Sequence, residues 1–164
     1  MFAHSNSDVD GVSVHVSTRV DEALEIARPR TEVARYMFDW RNDPEWIGGI
    51  SEARLVSDGE FGVGSRVERV ASFMGRRVEY VLEVDEYDPQ ARVSMHSVKG
   101  PFPMTVAYDL EDAGEATRAR IRVGGDASGF YRVAAPLLNR AAARSIAGDL
   151  KRLKQLLETA TPAS

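Results

Sequence analysis

The segment 76-RRVEYVLEVDEY-87 alternates between apolar and charged residues over most of its length. One face of the alternation consists of Val78, Tyr80, Leu82 and Val84, and the other carries mainly charged side chains. This period of two is typical of a strand in an antiparallel sheet, with one face packed on a core and the other in water.

Five comparable segments surround it, separated by short turns rich in glycine, proline and aspartate. They are SEARLVS (51–57), SRVERVASF (65–73), ARVSMHSV (91–98), PMTVAYDLE (103–111) and ATRARIRV (116–123). A further alternating segment, RVDEALEIA (19–27), precedes them. The pattern predicts a seven-stranded antiparallel meander.

Two helices are predicted between the first and second strands. Residues 28–40 change to helical spacing, with Pro29 in the first turn. A short second helix should begin at Pro44, capped by Asn42 or Asp43, and should carry Trp46. The glycines Gly48 and Gly49 would end it.

The final segment, residues 128–158, predicts one long amphipathic helix. Because Pro136 lies near its start, we expect a kink or a separate first turn near 130–136. The fold class is therefore α+β, with the long helix covering the apolar face of the sheet. A strongly twisted sheet is concave, so a helix laid across it leaves space for a ligand.

Composition limits the possible functions. The chain of 164 residues has a net charge of −4 and no cysteine, which argues against nucleic acid as a partner and excludes thiolate chemistry. No apolar run is long enough for stable membrane insertion, and no signal peptide is evident. We expect a cytoplasmic monomer or homodimer without metal or cofactor, in which 1–17 form a disordered tail and 18–160 a single domain.

Four stretches resemble the START-related (SRPBCC) superfamily and, within it, the bacterial polyketide cyclase/dehydrase-like group. They are IARPRTEVARYMFDWRNDPEW (26–46), GVGSRVERV (62–70), EVDEYDPQARVSMHS (83–97) and LKRLKQLLE (150–158). The resemblance implies a helix-grip fold, in which a curved sheet grips the C-terminal helix around a hydrophobic pocket. It also implies a lipid, sterol, polyketide or hormone as ligand, and cyclisation in some members.

Arg69 is the polar residue that interrupts its own strand pattern, since it shares a face with Val67, Ala71 and Phe73. If that face is the inner one, its guanidinium would fix a carboxylate, phenolate or enolate. The alternative is that the other face points inward or that a bulge shifts the register. Glu22, on the first strand, would either neutralise Arg69 or sit on a frayed edge of the sheet.

Three further residues are candidates for catalysis or ligand contact. Tyr80 and Tyr108 lie on apolar faces, where a phenol would orient a ligand oxygen or simply belong to the core. His96 has the proton affinity of a general base, but neither face of its strand is plainly the inner one. It lacks the companions that a histidine metal site needs.

The expected apolar wall combines aromatic, methionine and leucine side chains. It consists of Phe73, Phe102, Met104, Phe130, Tyr131, Leu137 and Leu138. Trp46 would anchor the end of the pocket, or serve packing alone.

Three functions remain open from the sequence. The first is binding of a small hydrophobic molecule such as a lipid or polyketide, for transport or sequestration. The second is a cyclase or aromatase in which a tyrosine, His96 or Arg69 promotes enolisation and loss of water. The third, which the resemblance implies, is a protein-interaction module of co-chaperone type that uses the arginine-rich outer face at Arg118, Arg120 and Arg122.

Overall fold

The computed structural model describes residues 18–160, so the expected disordered tail at 1–17 lies outside the described residues. The strands are β1 (Thr18–Ile26), β2 (Ile50–Leu55), β3 (Arg66–Phe73), β4 (Arg76–Asp88), β5 (Arg92–Lys99), β6 (Met104–Ala113) and β7 (Ala116–Gly125). The helices are α1 (Arg30–Met37), α2 (Asp43–Trp46), α3 (Ser128–Tyr131) and α4 (Ala135–Thr159), with a 3-10 turn at Trp40–Asn42.

The seven strands form one antiparallel sheet in the order β1-β7-β6-β5-β4-β3-β2. Strands β2 to β7 follow one another as a meander, and β1 adds to the far edge by pairing with β7. The predicted seven-stranded antiparallel sheet is therefore confirmed, with β1 and β2 as its edges.

The sheet curls because the register of its strands shifts at several points. β4 and β5 shift between Val81 and Leu82 and again between Val84 and Glu86. β2 and β3 shift between Ile50 and Glu52. Each extra residue bends its strand and increases the local right-handed twist, which makes the sheet concave on the side that faces the helices.

The core lies between this concave face and α4. Val78, Leu82 and Val84 of β4 are buried on the inner face, as the alternation predicts. From α4, Leu150 and Leu153 are also buried. Because full burial of one leucine contributes about 1.5–3 kcal/mol, the apolar stripe fixes the C-terminal half of α4 on the sheet.

The C-terminal helical segment is broken, as Pro136 indicates. α3 ends at Arg132, whose φ of 53° places it in the left-handed region. α4 then begins with Pro136 in its first turn. The one-turn α3 is thus a separate unit between the sheet and the long helix. None of the helices in residues 18–160 has the length and apolarity needed to cross a membrane.

Candidate functional site

A cavity of about 200 Å³ lies between the concave face of the sheet and the first half of α4. Strands β3, β4, β6 and β7, the β5–β6 loop and both C-terminal helices contribute to its wall. The lining side chains that the sequence predicted are Phe73, Tyr80, Phe102, Met104, Tyr131 and Leu138. The wall is largely apolar, and its side-chain hydroxyls belong to Tyr80, Tyr131 and Ser145.

Four aromatic rings hold the elements at this end of the sheet together. Phe73 meets Tyr131 edge to face with ring centroids 5.4 Å apart. Phe102 and Phe130 are also 5.4 Å apart, and Phe130 lies 4.9 Å from Tyr131. The rings join the β3–β4 turn, the β5–β6 loop and α3 through contacts of the geometry that aromatic pairs prefer.

Arg76 adds a cation–π contact and a hydrogen bond to the same cluster. Its guanidinium lies 3.9 Å from the centre of the Phe130 ring and donates a hydrogen bond to the Phe130 carbonyl oxygen. A cation over an aromatic face is attracted by the ring quadrupole. These two contacts hold α3 against the β3–β4 turn, beside the cavity.

Arg69 points to the inner face of β3 and is 4 % exposed. Its Nε and Nη2 atoms lie 2.9 and 2.8 Å from Oδ2 of Asp43, the first residue of α2. Nη2 also donates to the Tyr108 hydroxyl at 3.1 Å. Of the two placements expected for Glu22, the pairing with Arg69 is wrong: Glu22 lies on edge strand β1 opposite Ile121, whereas α2 brings Asp43 to Arg69.

The charges of Arg69 and Asp43 neutralise each other inside the protein. Burial by itself would lower the pKa of Arg69, but the Asp43 carboxylate outweighs it and raises that pKa well above its ordinary value. Burial raises the pKa of Asp43, and the guanidinium opposes this shift. Because the two charges neutralise each other at contact distance, Arg69 offers no free positive charge to an anionic ligand.

The two tyrosines that flank Arg69 have different positions. Tyr80 is half-buried and lines the cavity. Burial raises its pKa, while the neighbouring Arg69 lowers it in part. Tyr108 lies outside the cavity wall, stacked at 6.5 Å on Phe38. Only Tyr80 therefore joins the Arg69 network to the cavity.

Trp46 packs in the core and does not line the cavity. The residue is fully buried, and its ring meets Tyr108 edge to face at 5.7 Å. The Trp46 carbonyl oxygen accepts a hydrogen bond of 2.9 Å from Nη1 of Arg152 on α4. Trp46 thus fixes α2 between the sheet and α4, which is the packing role that the sequence left open.

Three predicted site residues lie elsewhere. Leu137 is 57 % exposed, because α4 turns its neighbour Leu138 toward the sheet. Phe130 contacts the lining rings Phe102 and Tyr131 from behind. His96 lies on the outer face of β5, where Nδ1 is 2.7 Å from Oδ1 of Asp85, so it has no access to the cavity.

The sequence reasoning missed the small residues that create the space. The small residues Ala142 and Ser145 of α4 line the cavity beside the larger Leu138 and Ile146, and Ala71 of β3 also belongs to the lining. The spacing of Leu138, Ala142 and Ser145 is helical, so small side chains on the inner stripe of α4 were the available signal. Gly125 also contributes, since a Cβ there would lie 2.5 Å from the Pro103 carbonyl oxygen.

In the part of the chain that the structure describes, no group of three or more histidine or carboxylate side chains is placed to bind a metal ion. The lining residues themselves offer apolar burial and hydrogen bonding to the hydroxyls of Tyr80, Tyr131 and Ser145.

Solved structures share this architecture at low sequence identity. A protein from Thermus thermophilus has a TM-score of 0.73 and 21% identity, over 87% of this chain and 99% of its own. A START superfamily protein from Mycobacterium smegmatis has a TM-score of 0.74 and 15% identity, with the same coverage. An aromatase/cyclase from Streptomyces has a TM-score of 0.70 and 15% identity, over 85% of this chain and 93% of its own. These similarities show the helix-grip fold.

A family model described as polyketide cyclase/dehydrase and lipid transport matches residues 17–158. This match confirms the resemblance to the polyketide cyclase/dehydrase-like group that the sequence motifs indicated. A comparison with curated proteins finds no match.

Proposed function

We propose that the chain, which belongs to the polyketide cyclase/dehydrase and lipid transport family, binds a small and neutral hydrophobic molecule in its internal cavity. One observation carries the proposal: the side chains that line the space beneath α4 carry no charge, and the buried Arg69 is paired with Asp43. The ligand would gain affinity from shape and burial, with a hydrogen bond to Tyr80.

The size of the cavity narrows the ligand class. Pockets for drug-sized ligands measure about 300–1,000 Å³, whereas an apolar cavity of about 150 Å³ in another protein holds benzene. At about 200 Å³, this cavity is suited to a ligand of one or two fused rings, or a short branched chain. Burying roughly 250 Å² of apolar surface would contribute about 6 kcal/mol before the costs of association and ordering are subtracted.

The expected charge of the ligand follows from the Arg69–Asp43 pair. The sequence pattern left two possibilities for Arg69: an inward guanidinium that binds an anion, or a side chain turned away by the strand face or register. The guanidinium points inward, but it is paired with Asp43 and does not line the cavity. An anionic ligand would lose its hydration without gaining an opposite charge from the lining side chains, which is costly in an apolar environment. A hydroxyl or ketone oxygen would need only the Tyr80 hydroxyl.

Isothermal titration calorimetry with naphthol and naphthoate tests this proposal, because the two probes share a ring system and differ in charge at neutral pH. We expect naphthol to bind with one site per chain and naphthoate to bind at least about tenfold more weakly, since desolvating the carboxylate has a large cost. Equal affinities, or tighter binding of naphthoate, would contradict the neutral-ligand proposal.

The second candidate function is cyclisation of a polyketide. It is favoured by the position of Tyr80, whose hydroxyl lies beside Arg69 on the cavity wall and would donate a hydrogen bond to a ketone during ring closure. A poly-ketone long enough to fold into several rings exceeds the observed volume, so binding is the better supported function. Incubation with a short poly-ketone thioester, followed by mass spectrometry for loss of water, separates the two.

The outer face of the sheet gives less support to an interaction module. Arg120 pairs with Asp21, and Arg122 lies 2.7 Å from Asp109. Arg118 stands between Glu25 and Glu111 in the registers of its two neighbouring strands. Because acidic partners balance these arginines, the face presents no concentrated positive charge.

A further inference from the structure

The two edges of the sheet are covered to different extents. At the end of β1, side chains of α4 bond to the backbone. Lys154 Nζ donates a hydrogen bond of 2.8 Å to the Glu25 carbonyl oxygen, and Glu158 accepts one of 2.8 Å from the Ala27 N–H. Such bonds occupy backbone groups that another strand would otherwise use. The β1 edge is therefore partly closed to a partner strand.

The β2 edge is open at Ala53 and Leu55. The Val56 N–H donates a hydrogen bond of 2.9 Å to the Arg66 carbonyl oxygen at the edge of β3. Because hydrogen bonding alternates along an antiparallel pair, every second residue before Val56 also directs its N–H and C=O to β3. The residues between them, Ala53 and Leu55, direct theirs to the free edge. Within residues 18–160, no hydrogen bond from outside the sheet reaches these groups.

The outer face of β2 carries one charge of each sign. Glu52 and Arg54 are both exposed and lie on either side of Ala53. Arg54 lies 2.7 Å from Glu68 on β3, and its side chain is still 68% exposed. Glu52 forms no salt bridge with any residue of 18–160. The strand therefore presents a carboxylate and a guanidinium at positions that are symmetric about Ala53.

This symmetry matches a second copy of the same strand. In an antiparallel pair, the Ala53 backbone bonds within the strand opposite Ser51, Ala53 or Leu55 of the partner subunit. The first register places Glu52 opposite its own copy, and the third places Arg54 opposite its own copy, so both bring like charges together. The register centred on Ala53 instead places each Glu52 opposite Arg54 of the partner subunit. Charge therefore selects one register.

We propose that two copies of the chain associate through their β2 edges, antiparallel and centred on Ala53, so that the two sheets continue into one. Backbone hydrogen bonds supply affinity, and the two Glu52–Arg54 pairs set the register. A strand of another protein would also satisfy the backbone groups, but the symmetric charges about Ala53 complement this chain's own strand. No β2 residue lines the cavity, so this association is a property separate from ligand binding.

Analytical ultracentrifugation over a range of protein concentrations tests the association. We expect the wild-type protein to change from monomer to dimer as its concentration rises. Glu52→Arg and Arg54→Glu each create two like-charge pairs across the interface, so each should raise the dissociation constant by about tenfold or more. The double variant Glu52→Arg with Arg54→Glu exchanges the two charges and should restore most of the wild-type affinity. A mixture of the two single variants should form a heterodimer.

The backbone contribution needs a separate variant. Ala53→Pro removes an N–H that faces the free edge and none that bonds to β3, and proline is tolerated on edge strands. This variant should therefore fold, as circular dichroism would show, and should no longer associate.

The matched controls are Arg77→Glu and Glu79→Arg, which reverse the same charges at exposed positions of the central strand β4. They should associate as the wild-type protein does. A wild-type protein that stays monomeric at every concentration would overturn the proposal and leave the edge to a strand of another protein. Equal weakening by the β2 and control variants would also overturn it, and so would a charge exchange that restores no affinity.

Discussion

At the scale of single residues, the contact between Arg69 and Asp43 places two opposite charges away from water, with side chains 5 % and 2 % exposed. Each charge lost its hydration on folding and is stabilised mainly by the other. Removing one partner therefore leaves a buried charge uncompensated. Replacing both residues by apolar ones removes the desolvation cost of the two charges together with their attraction.

Asp43→Asn should lower the free energy of unfolding by about 3–5 kcal/mol, because Arg69 would remain buried without a counter-charge. The double variant Asp43→Leu with Arg69→Met should recover most of this loss. Urea denaturation of the wild-type protein and the variants measures both effects. The single variants Asp43→Leu and Arg69→Met complete the comparison. If the double variant lost as much stability as these two single variants added together, the residues would not act as a pair.

Tyr80 and Tyr108 differ in access to the cavity, so the same substitution should have different effects at the two positions. Tyr80→Phe should weaken naphthol binding by about three- to tenfold, since one hydrogen bond to the ligand is lost. Tyr108→Phe should leave naphthol affinity unchanged and lower stability by about 1–3 kcal/mol, because Arg69 loses an acceptor. Calorimetry measures the naphthol affinity of both variants, and urea denaturation measures their stability. If Tyr108→Phe weakened naphthol binding more than Tyr80→Phe did, Tyr80 would not be the ligand contact.

The sequence identified Arg69 because a charged side chain in an otherwise apolar strand face is visible as a break in a period of two. Asp43 carried no such signal. It is 26 positions from Arg69, and its place beside a proline at the start of a short helix looks like an ordinary cap. Long-range pairing of charges depends on tertiary packing, which local patterns do not contain.

At the scale of elements, the Asp149 carboxylate of α4 is hydrogen-bonded to the segment that follows α2. Asp149 accepts hydrogen bonds from the Gly48 backbone N–H at 2.8 Å and from Nη1 of Arg152 at 3.3 Å. Arg152 in turn donates to the Trp46 carbonyl oxygen. The position of α4 over the sheet, and hence the depth of the cavity, depends on this connection.

Asp149→Ala should destabilise the protein by about 1–3 kcal/mol, because the Gly48 N–H would lose its acceptor in a partly buried position. Asp149→Asn keeps an acceptor oxygen and should cost less. Thermal denaturation followed by circular dichroism compares the two variants. If both were as stable as the wild-type protein, the connection between α2 and α4 would not contribute to the fold.

Periodicity located all seven strands and the long helix but did not determine the rotational phase of α4. Leu137 and Leu138 both fit an apolar helix face, and only the second faces the cavity. The break after Arg132 restarts the helix at Ala135, and this restart decides which leucine points inward. The rotational phase of a helix after a break depends on the geometry of the connecting loop, which the amino-acid pattern does not specify.

At the scale of the whole molecule, the described fold buries all five tyrosines enough to change their titration. Burial raises the pKa of Tyr108 to about 12 and raises the pKa of Tyr36, Tyr80, Tyr87 and Tyr131 as well. The unfolded chain releases phenolic protons near pH 10. Above that pH the folded state therefore binds more protons than the unfolded state.

This difference fixes the sign of the alkaline pH dependence. The free energy of unfolding should fall as the pH rises from about 10 toward 12, because proton release favours the unfolded chain in that window. Ultraviolet absorbance should show little phenolate in the folded protein near pH 10, and urea denaturation should show the loss of stability above it. Full ionisation of the tyrosines near pH 10 without unfolding would contradict the burial described for Tyr80 and Tyr108.

The sheet order and the long helix followed from the sequence because each depends on a short repeating pattern. The volume under α4 did not, since it depends on which inner positions hold small side chains and on where the strands bend. Ala71, Ala142 and Ser145 are unremarkable in composition, yet together they leave the space that larger residues would fill.

The central claim is that this space binds the ligand, and a cavity-filling substitution tests it most directly. Calorimetry with naphthol should be compared for the wild-type protein, Ala142→Phe and the control Gln155→Phe, which places the same ring at an exposed position of α4. We expect folded Ala142→Phe to lose naphthol binding and Gln155→Phe to bind as the wild-type protein does. A folded Ala142→Phe protein with wild-type affinity would contradict the claim.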